Sequence, residues 1–168
     1  VFKKRLIEPE LLDHADPEEA RPNLADLVRI NKYFGGYSTS LKLVAKVAKP
    51  QDSFTLLDVG AASGDTGRHL SEAFPNARIT SLDYNAVNAA AATTPKLIAD
   101  AFALPFPAHS FDFVFSSLFL HHFTDEKVIE LLRGFEAVAK KAVLITDLER
   151  HIVPYYFLPA TRRLFKWN

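Results

Sequence analysis

Residues 56–67, LLDVGAASGDTG, constrain the fold of this chain more than any other stretch. Leu56, Leu57 and Val59 make an apolar run broken only by Asp58, which suits a strand buried on both faces of a parallel sheet. Gly60, Ala61, Ala62, Ser63 and Gly64 then leave the backbone open to close approach. Strand, small-residue turn and helix in this order predict the first crossover of a doubly wound α/β sheet, with a nucleotide-like ligand held at the turn.

Two ligand classes compete for such a turn. The dinucleotide fingerprint G-x-G-x-x-G needs a small residue at its last glycine, beside a pyrophosphate. Counted from Gly60 that position is Asp65, too large for close packing and of the wrong sign for an anion at a helix N-terminus. S-adenosylmethionine, with a sulfonium and an ammonium, meets no such objection, and Asp58 and Asp65 then frame the turn with favourable charge. An NAD-dependent oxidoreductase stays as the disfavoured alternative.

Further candidates follow at the expected spacing. RITSLDYN at 78–85 predicts a second strand ending in Asp83, nineteen residues beyond Gly64, where an acid accepts hydrogen bonds from ribose hydroxyls. PKLIADAFALPF at 95–106 predicts a third strand ending in Asp100, Ala101 and Phe102. These offer an acceptor for an adenine amino group beside a ring able to cover a purine face. FDFVFSSLFLHHF at 111–123 predicts a fourth strand, polar mainly toward its carboxyl end. All these candidates fall at strand C-termini, the crevice in which open α/β sheets bind ligands.

Together the motifs resemble those of class I SAM-dependent methyltransferases, most of all the small-molecule group called type 11. The family's D-x-G-x-G-x-G matches Asp58, Gly60 and Gly64, with Ala62 in place of the middle glycine. Its acid after the second strand falls on Asp83, its Asp-Ala pair on Asp100 and Ala101, and its LPF…SFD passage on Leu104 to Asp112. The resemblance runs from about residue 30 to 150 and implies a Rossmann-like, mostly parallel sheet with S-adenosyl-L-methionine as cofactor. It also implies cofactor binding by Asp58, Gly60, Ala62, Gly64, Asp83, Tyr84, Asp100, Ala101, Phe102 and Ser117, with Ser116, Ser117 and Leu118 nearest the reacting methyl. The Asn-Pro-Pro-Tyr type signature that the family uses for amino acceptors is absent from the fourth strand's end.

For catalysis the adjacent pair His121 and His122 is the candidate. A neutral imidazole takes a proton from a phenol or other hydroxyl near pH 7. Adjacent side chains are expected to diverge, so at most one of the two is catalytic; the alternative is that the pair only leads into a helix with Thr124 as its N-cap. Spacing of i, i+1 does not converge on zinc, and no metal is expected. Asn31, Tyr33, Phe34 and Tyr37 around Gly35 and Gly36 offer a flap over cofactor and acceptor.

Composition narrows the partners. Lys plus Arg and Asp plus Glu number 20 each, so no net basic field draws in nucleic acid. There is no cysteine and no long apolar stretch. The expectation is a cytoplasmic protein with no membrane partner. The chain also lacks methionine and opens with Val1. Residues trimmed from the ends, or modified methionines left out of the sequence, are the expected cause, and an intact mass above the sequence mass is the check.

Residues 1–50 read as an N-terminal helical arm or cap, 51–150 as the cofactor-binding core and 151–168 as a C-terminal helical segment. Helices are expected from Asn23 to Gly35 and at 38–48, 65–74, 86–92 and 125–139, with a fifth strand AVLITDLE at 142–149. The aromatic and basic tail YYFLPATRRLFKW reads as helix or as a cap over the acceptor pocket, in preference to contact with a membrane surface. The fifth strand is expected to have a bare outer edge, covered by further strands of the native protein or by a partner subunit, as in a homodimer. The resulting expectation is methyl transfer to oxygen or carbon of a small organic acceptor. A binding-only domain for S-adenosylmethionine or its demethylated product, serving as a regulatory or partner subunit, is the rival, and Ala62 speaks for it.

Overall fold

In a computed structural model of the chain, residues 28–29, 31–33, 35–90 and 92–148 are described. The expected N-terminal arm, the Asn23 cap, Phe34 of the flap and the C-terminal helix with its basic aromatic tail lie outside these residues.

Nine elements position the site: α1 (Gly36–Val44), β1 (Thr55–Val59), α2 (Asp65–Ala73), β2 (Arg78–Asp83), α3 (Ala86–Ala90), β3 (Lys96–Ile98), β4 (Phe111–Ser117), α4 (Asp125–Val138) and β5 (Ala139–Thr146). A 3-10 turn, Leu120–His122, joins β4 to α4. The five strands are all parallel, in the order β3-β2-β1-β4-β5. Chain order therefore reverses direction at β1, which has β2 on one side and β4 on the other. This switch point opens a crevice at the strands' carboxyl ends.

The alternation of a strand sends successive side chains to opposite faces, and β1 shows why the fold needs both. Leu56 packs with Val44, Leu70, Phe113 and Phe115 in one cluster. Leu57 and Val59 pack with Leu131, Phe135 and Val114 in another. Each fully buried leucine or phenylalanine contributes about 1.5–3 kcal/mol, so α1 and α2 fasten one face of the sheet and α4 the other. Thr124 caps α4 as its sequence position suggests, its hydroxyl accepting from the Lys127 N–H at 3.4 Å.

Bounds differ from expectation where polar ends misled. The third strand shrinks to three residues, Lys96–Ile98, because Asp100 turns the chain by accepting from the Phe102 N–H at 2.9 Å. The fourth stops at Ser117, where Leu118 takes φ +53° and Leu120 to His122 coil. The fifth begins earlier, at Ala139, directly from α4. Among the described residues β5 pairs with β4 alone, so its other edge is unpaired there, as expected for this strand.

Candidate functional site

The turn after β1 is built from three left-handed residues: Gly60 (φ +71°), Ala62 (φ +46°) and Gly64 (φ +71°). Gly60 is required by space as well as by φ, since a Cβ there would lie 2.4 Å from the Phe119 ring. The Gly60 and Ala61 N–H groups donate to the Leu82 carbonyl at 2.9 and 3.0 Å, tying the turn to β2. Ala62 holds the left-handed geometry that the family gives to glycine, at a cost of about 1–2 kcal/mol.

Asp83 closes this turn. Its Oδ2 accepts from the Ala62 N–H and its Oδ1 from the Asn85 N–H, both at 2.8 Å. These two bonds fix the Asp83 carboxylate beside the turn. Asp65 sits in the first turn of α2, bonded by the Ser63 hydroxyl and 3.5 Å from Arg68. An anion thus already occupies this helix N-terminus and disfavours a pyrophosphate there.

Asp58 is 1% exposed and its Oδ2 has no hydrogen-bond partner. Burial, reinforced by the charge of Asp83, pushes its carboxyl up to about 7.

On the far side of the crevice, Ser116 donates to the Val59 carbonyl at 2.9 Å, and Thr146 donates to the Ser117 hydroxyl at 2.9 Å. The left-handed Leu118, whose N–H donates to the Thr146 carbonyl, redirects the chain so that Phe119 lies against Gly60. His121 Nδ1 is 2.7 Å from Asp147 Oδ1. Burial draws the Asp147 carboxyl upward, but hydrogen bonds from His121 and from the Leu148 N–H outweigh it and hold the group below the usual carboxylate range. Asp147 was not among the candidates read from the sequence; its signal was a carboxylate at the end of the fifth strand, where crevice residues collect.

Three expectations are corrected. His121 and His122 do not diverge: in the tight 3-10 turn their ring centroids lie 4.2 Å apart with 32° between planes. Phe102 is not a free-standing ring: it meets Phe123 edge-on at 5.3 Å and carries Lys127 Nζ at 5.6 Å. The exposed apolar side chains at that end of β2 and β3 are Tyr84, 79% exposed, and Ile98, 57% exposed, which no sequence reasoning singled out as a pair. Tyr37 is not a flap residue but docks α1 on α2, its ring 4.1 Å from His69. Burial, then the negative charge of Asp65, pushes its hydroxyl up to about 12. Tyr33 is exposed, and Asn31 closes on Gly36.

The remaining sequence candidates fall where expected in the chain but differ in setting. Ala101 is buried and Asp100 exposed. A recess of about 470 Å³ lined by His109, Leu132, Glu136, Lys140 and Lys141 lies where β5 begins, at the opposite end of the sheet, and includes none of the candidates.

Comparison with known proteins accords with this geometry. The family described as methyltransferase domain, type 11, matches residues 57–145, which is more than half the chain. A pluviatolide O-methyltransferase of Sinopodophyllum hexandrum is 37% identical over 91 residues, 52% of this chain and 24% of that protein. The YcgJ protein of Bacillus subtilis is 26% identical with a TM-score of 0.55, over 66% of this chain and 50% of that one. The plantazolicin methyltransferase BpumL, solved with a desmethyl plantazolicin analogue and SAH, is 18% identical with a TM-score of 0.70, over 89% of this chain and 60% of that one. The chain thus spans about a quarter of the curated relative and half of YcgJ. The BpumL likeness is one of fold.

Proposed function

The chain belongs to the methyltransferase domain family, and from that premise we propose that it binds S-adenosylmethionine and transfers its methyl group to a hydroxyl of a small organic acceptor. The observation that carries the reading is the Asp83 clamp on a glycine turn whose helix already bears an anion, Asp65. That arrangement suits a ribose-bearing cation better than a dinucleotide, so the NAD-dependent alternative gains no support.

When bound, S-adenosylmethionine supplies a methyl group on a good leaving group, a sulfonium. Asp83 would hold the ribose, Asp58 and the 60–64 turn the amino-acid and sulfonium end, and Tyr84, Ile98, Asp100 and Ala101 the adenine. The protein's remaining task is to align the acceptor and exclude water. His121, beside Asp147, would take the hydroxyl proton, and the carboxylate would stabilise the imidazolium that forms. This favours O-methylation and an acceptor such as a phenol, whose hydroxyl holds its proton at neutral pH. The O-methyltransferase among the relatives points the same way. Since Ala62 keeps the glycine-like geometry, its substitution gives little weight to the binding-only rival. Among the described residues no helix is long and apolar enough to cross a membrane, and a cytoplasmic location is part of the same reading.

Calorimetric titration with S-adenosylmethionine tests the proposal. We expect binding by the full chain and a loss of tenfold or more in Asp83→Ala, since each charge-assisted hydrogen bond is worth about 1.5–3 kcal/mol. The variant also frees the Ala62 amide, so circular dichroism must show an intact fold. Unchanged affinity would remove Asp83 from the site.

A further inference from the structure

Asp58 is a buried acid for which the turn provides no partner. Its Oδ2 is unbonded, and it stands two residues before Gly60, where the chain leaves β1 for the crevice. The groups packed around it are uncharged. Strand register sets it beside Ser81 on β2 and Phe115 on β4. From α2 it faces Gly67, at which a Cβ would lie 3.5 Å from Oδ2. The Ser81 hydroxyl is itself engaged with Thr94 at 2.6 Å.

The charged groups nearby give Asp58 no help. Asp83 at the end of β2 repels it. Asp65 and Arg68 on the first turn of α2 pair with each other, and His69 on the next turn lies 3.3 Å from Glu72. Tyr37, from α1, lies against His69. An ionised carboxylate in such a place costs several kcal/mol unless a cation or donors reach it. Keeping a proton is the cheaper state, in accord with a carboxyl that titrates near neutrality.

Donor and product of the proposed reaction differ by one methyl group and one positive charge. The charge is what a buried acid reads, because attraction is strong where water is excluded. Resting on the reading that this turn holds S-adenosylmethionine, we propose that Asp58 makes the site distinguish the sulfonium donor from its neutral thioether product. The carboxyl holds a proton in the free protein, gives it up more fully to solvent as the donor enters with a sulfonium beside the ammonium that both ligands carry, and keeps more of it when the product is bound. Donor affinity then rises with pH until Asp58 is ionised without the ligand's help. If the ionised form alone takes the donor and titrates near 7, the gain from pH 6 to pH 8 is about tenfold.

The test is calorimetric titration of the full chain at pH 6.5 with S-adenosylmethionine and, separately, S-adenosylhomocysteine, each in two buffers of different ionisation enthalpy. The difference between buffers counts the protons released. We expect the donor to release a fraction of a proton more than the product does. In Asp58→Asn that excess disappears, the ligands' own ionisations being common to both proteins, and the preference for donor over product falls about tenfold at pH 8. Equal release by the two ligands with the wild-type chain overturns the inference without needing the variant, and leaves the cofactor assignment standing. Binding of neither ligand overturns both.

Discussion

Two aspartates on neighbouring central strands, Asp58 near the end of β1 and Asp112 at the start of β4, occupy opposite ends of the sheet and opposite electrostatic settings. Asp112 accepts from the Thr55 N–H at 2.9 Å and the Thr55 hydroxyl at 3.0 Å, and Lys141 approaches to 3.1 Å. The Thr55 N–H, aided by Lys141, holds it below the usual carboxylate range despite some burial. It latches β1, β4 and β5 together where they begin. Asp58, deeper and without such donors, is held above that range. A carboxylate supplied with donors and a cation secures structure, whereas one left short of them keeps its proton until, on the proposed function, a cationic ligand reaches it. The amino end of this sheet is accordingly the stabilising end and the carboxyl end the responsive one.

The largest expected effect lies at the responsive end. His121→Asn should lower turnover on a hydroxyl acceptor by about 10² to 10⁴, the usual worth of a positioned base, with donor affinity unchanged and the fold intact by circular dichroism. Asp147→Asn should cost less and move the acidic limb of the pH–rate profile to lower pH, because a carboxylate favours the protonated imidazole. His122→Asn should have the smallest effect of the three, since its ring lies beside His121 but the Asp147 contact belongs to His121. Full activity in both His121→Asn and His122→Asn would assign the pair to structure and erase the contrast between the two ends.

Next come the two aspartates themselves, whose contributions to stability should have opposite pH slopes. The folded-state pKa of Asp58 lies above its unfolded value of 3.8, at about 7. Its contribution is therefore complete below the unfolded value and is lost as pH rises through about 7, a change of at most about 4 kcal/mol. Asp112 is depressed, so its contribution is present above the unfolded value and lost as pH falls through the folded one. Denaturant melts of the ligand-free chain across pH 4 to 8 should show Asp58→Asn gaining on wild type toward pH 8. Asp112→Ala should lose about 1–3 kcal/mol at pH 7 by stranding the Thr55 donors, and this deficit should shrink in acid. Parallel curves for both variants would refute the assignment of opposite roles.

The sheet was readable because β1, β2 and β4 carry their apolar residues in runs that only a doubly covered strand can bury, and because the 60–64 turn is too small in side chain to be anything but a close approach. Asp58, Asp83 and the glycines were readable from spacing. What spacing misses is direction. Nothing local says that Phe102 turns toward Phe123, that the 3-10 turn stacks two adjacent imidazoles, or that Tyr37 serves to dock α1. Those outcomes depend on where α4 and α2 pack, which is set by residues distant in sequence. Asp147 escaped for the same reason, since its partner His121 lies 26 positions earlier. The latch was hidden in the SFD passage, where Asp112 reads as part of a family motif although its bonds are to Thr55 and Lys141.

The smallest expected effect probes the turn at the carboxyl end of β1. Ala62 is held at φ +46° while its N–H donates to Asp83. Glycine adopts that conformation without the Cβ clash, so Ala62→Gly should relieve about 1–2 kcal/mol of strain in the folded state. It also gives the unfolded chain more freedom, which returns about 0.4–1 kcal/mol. The net is a stabilisation of between about zero and about 1.6 kcal/mol. Donor affinity should stay within about twofold, because the Asp83 hydrogen bond to the backbone is retained and 1.4 kcal/mol is needed for a tenfold change. Thermal melts and titration with S-adenosylmethionine on the same preparation check both statements. A marked loss of stability would show that the alanine methyl is packed rather than strained, and a marked gain in affinity would show that the turn, and not Asp58 or Asp83, limits binding at the responsive end.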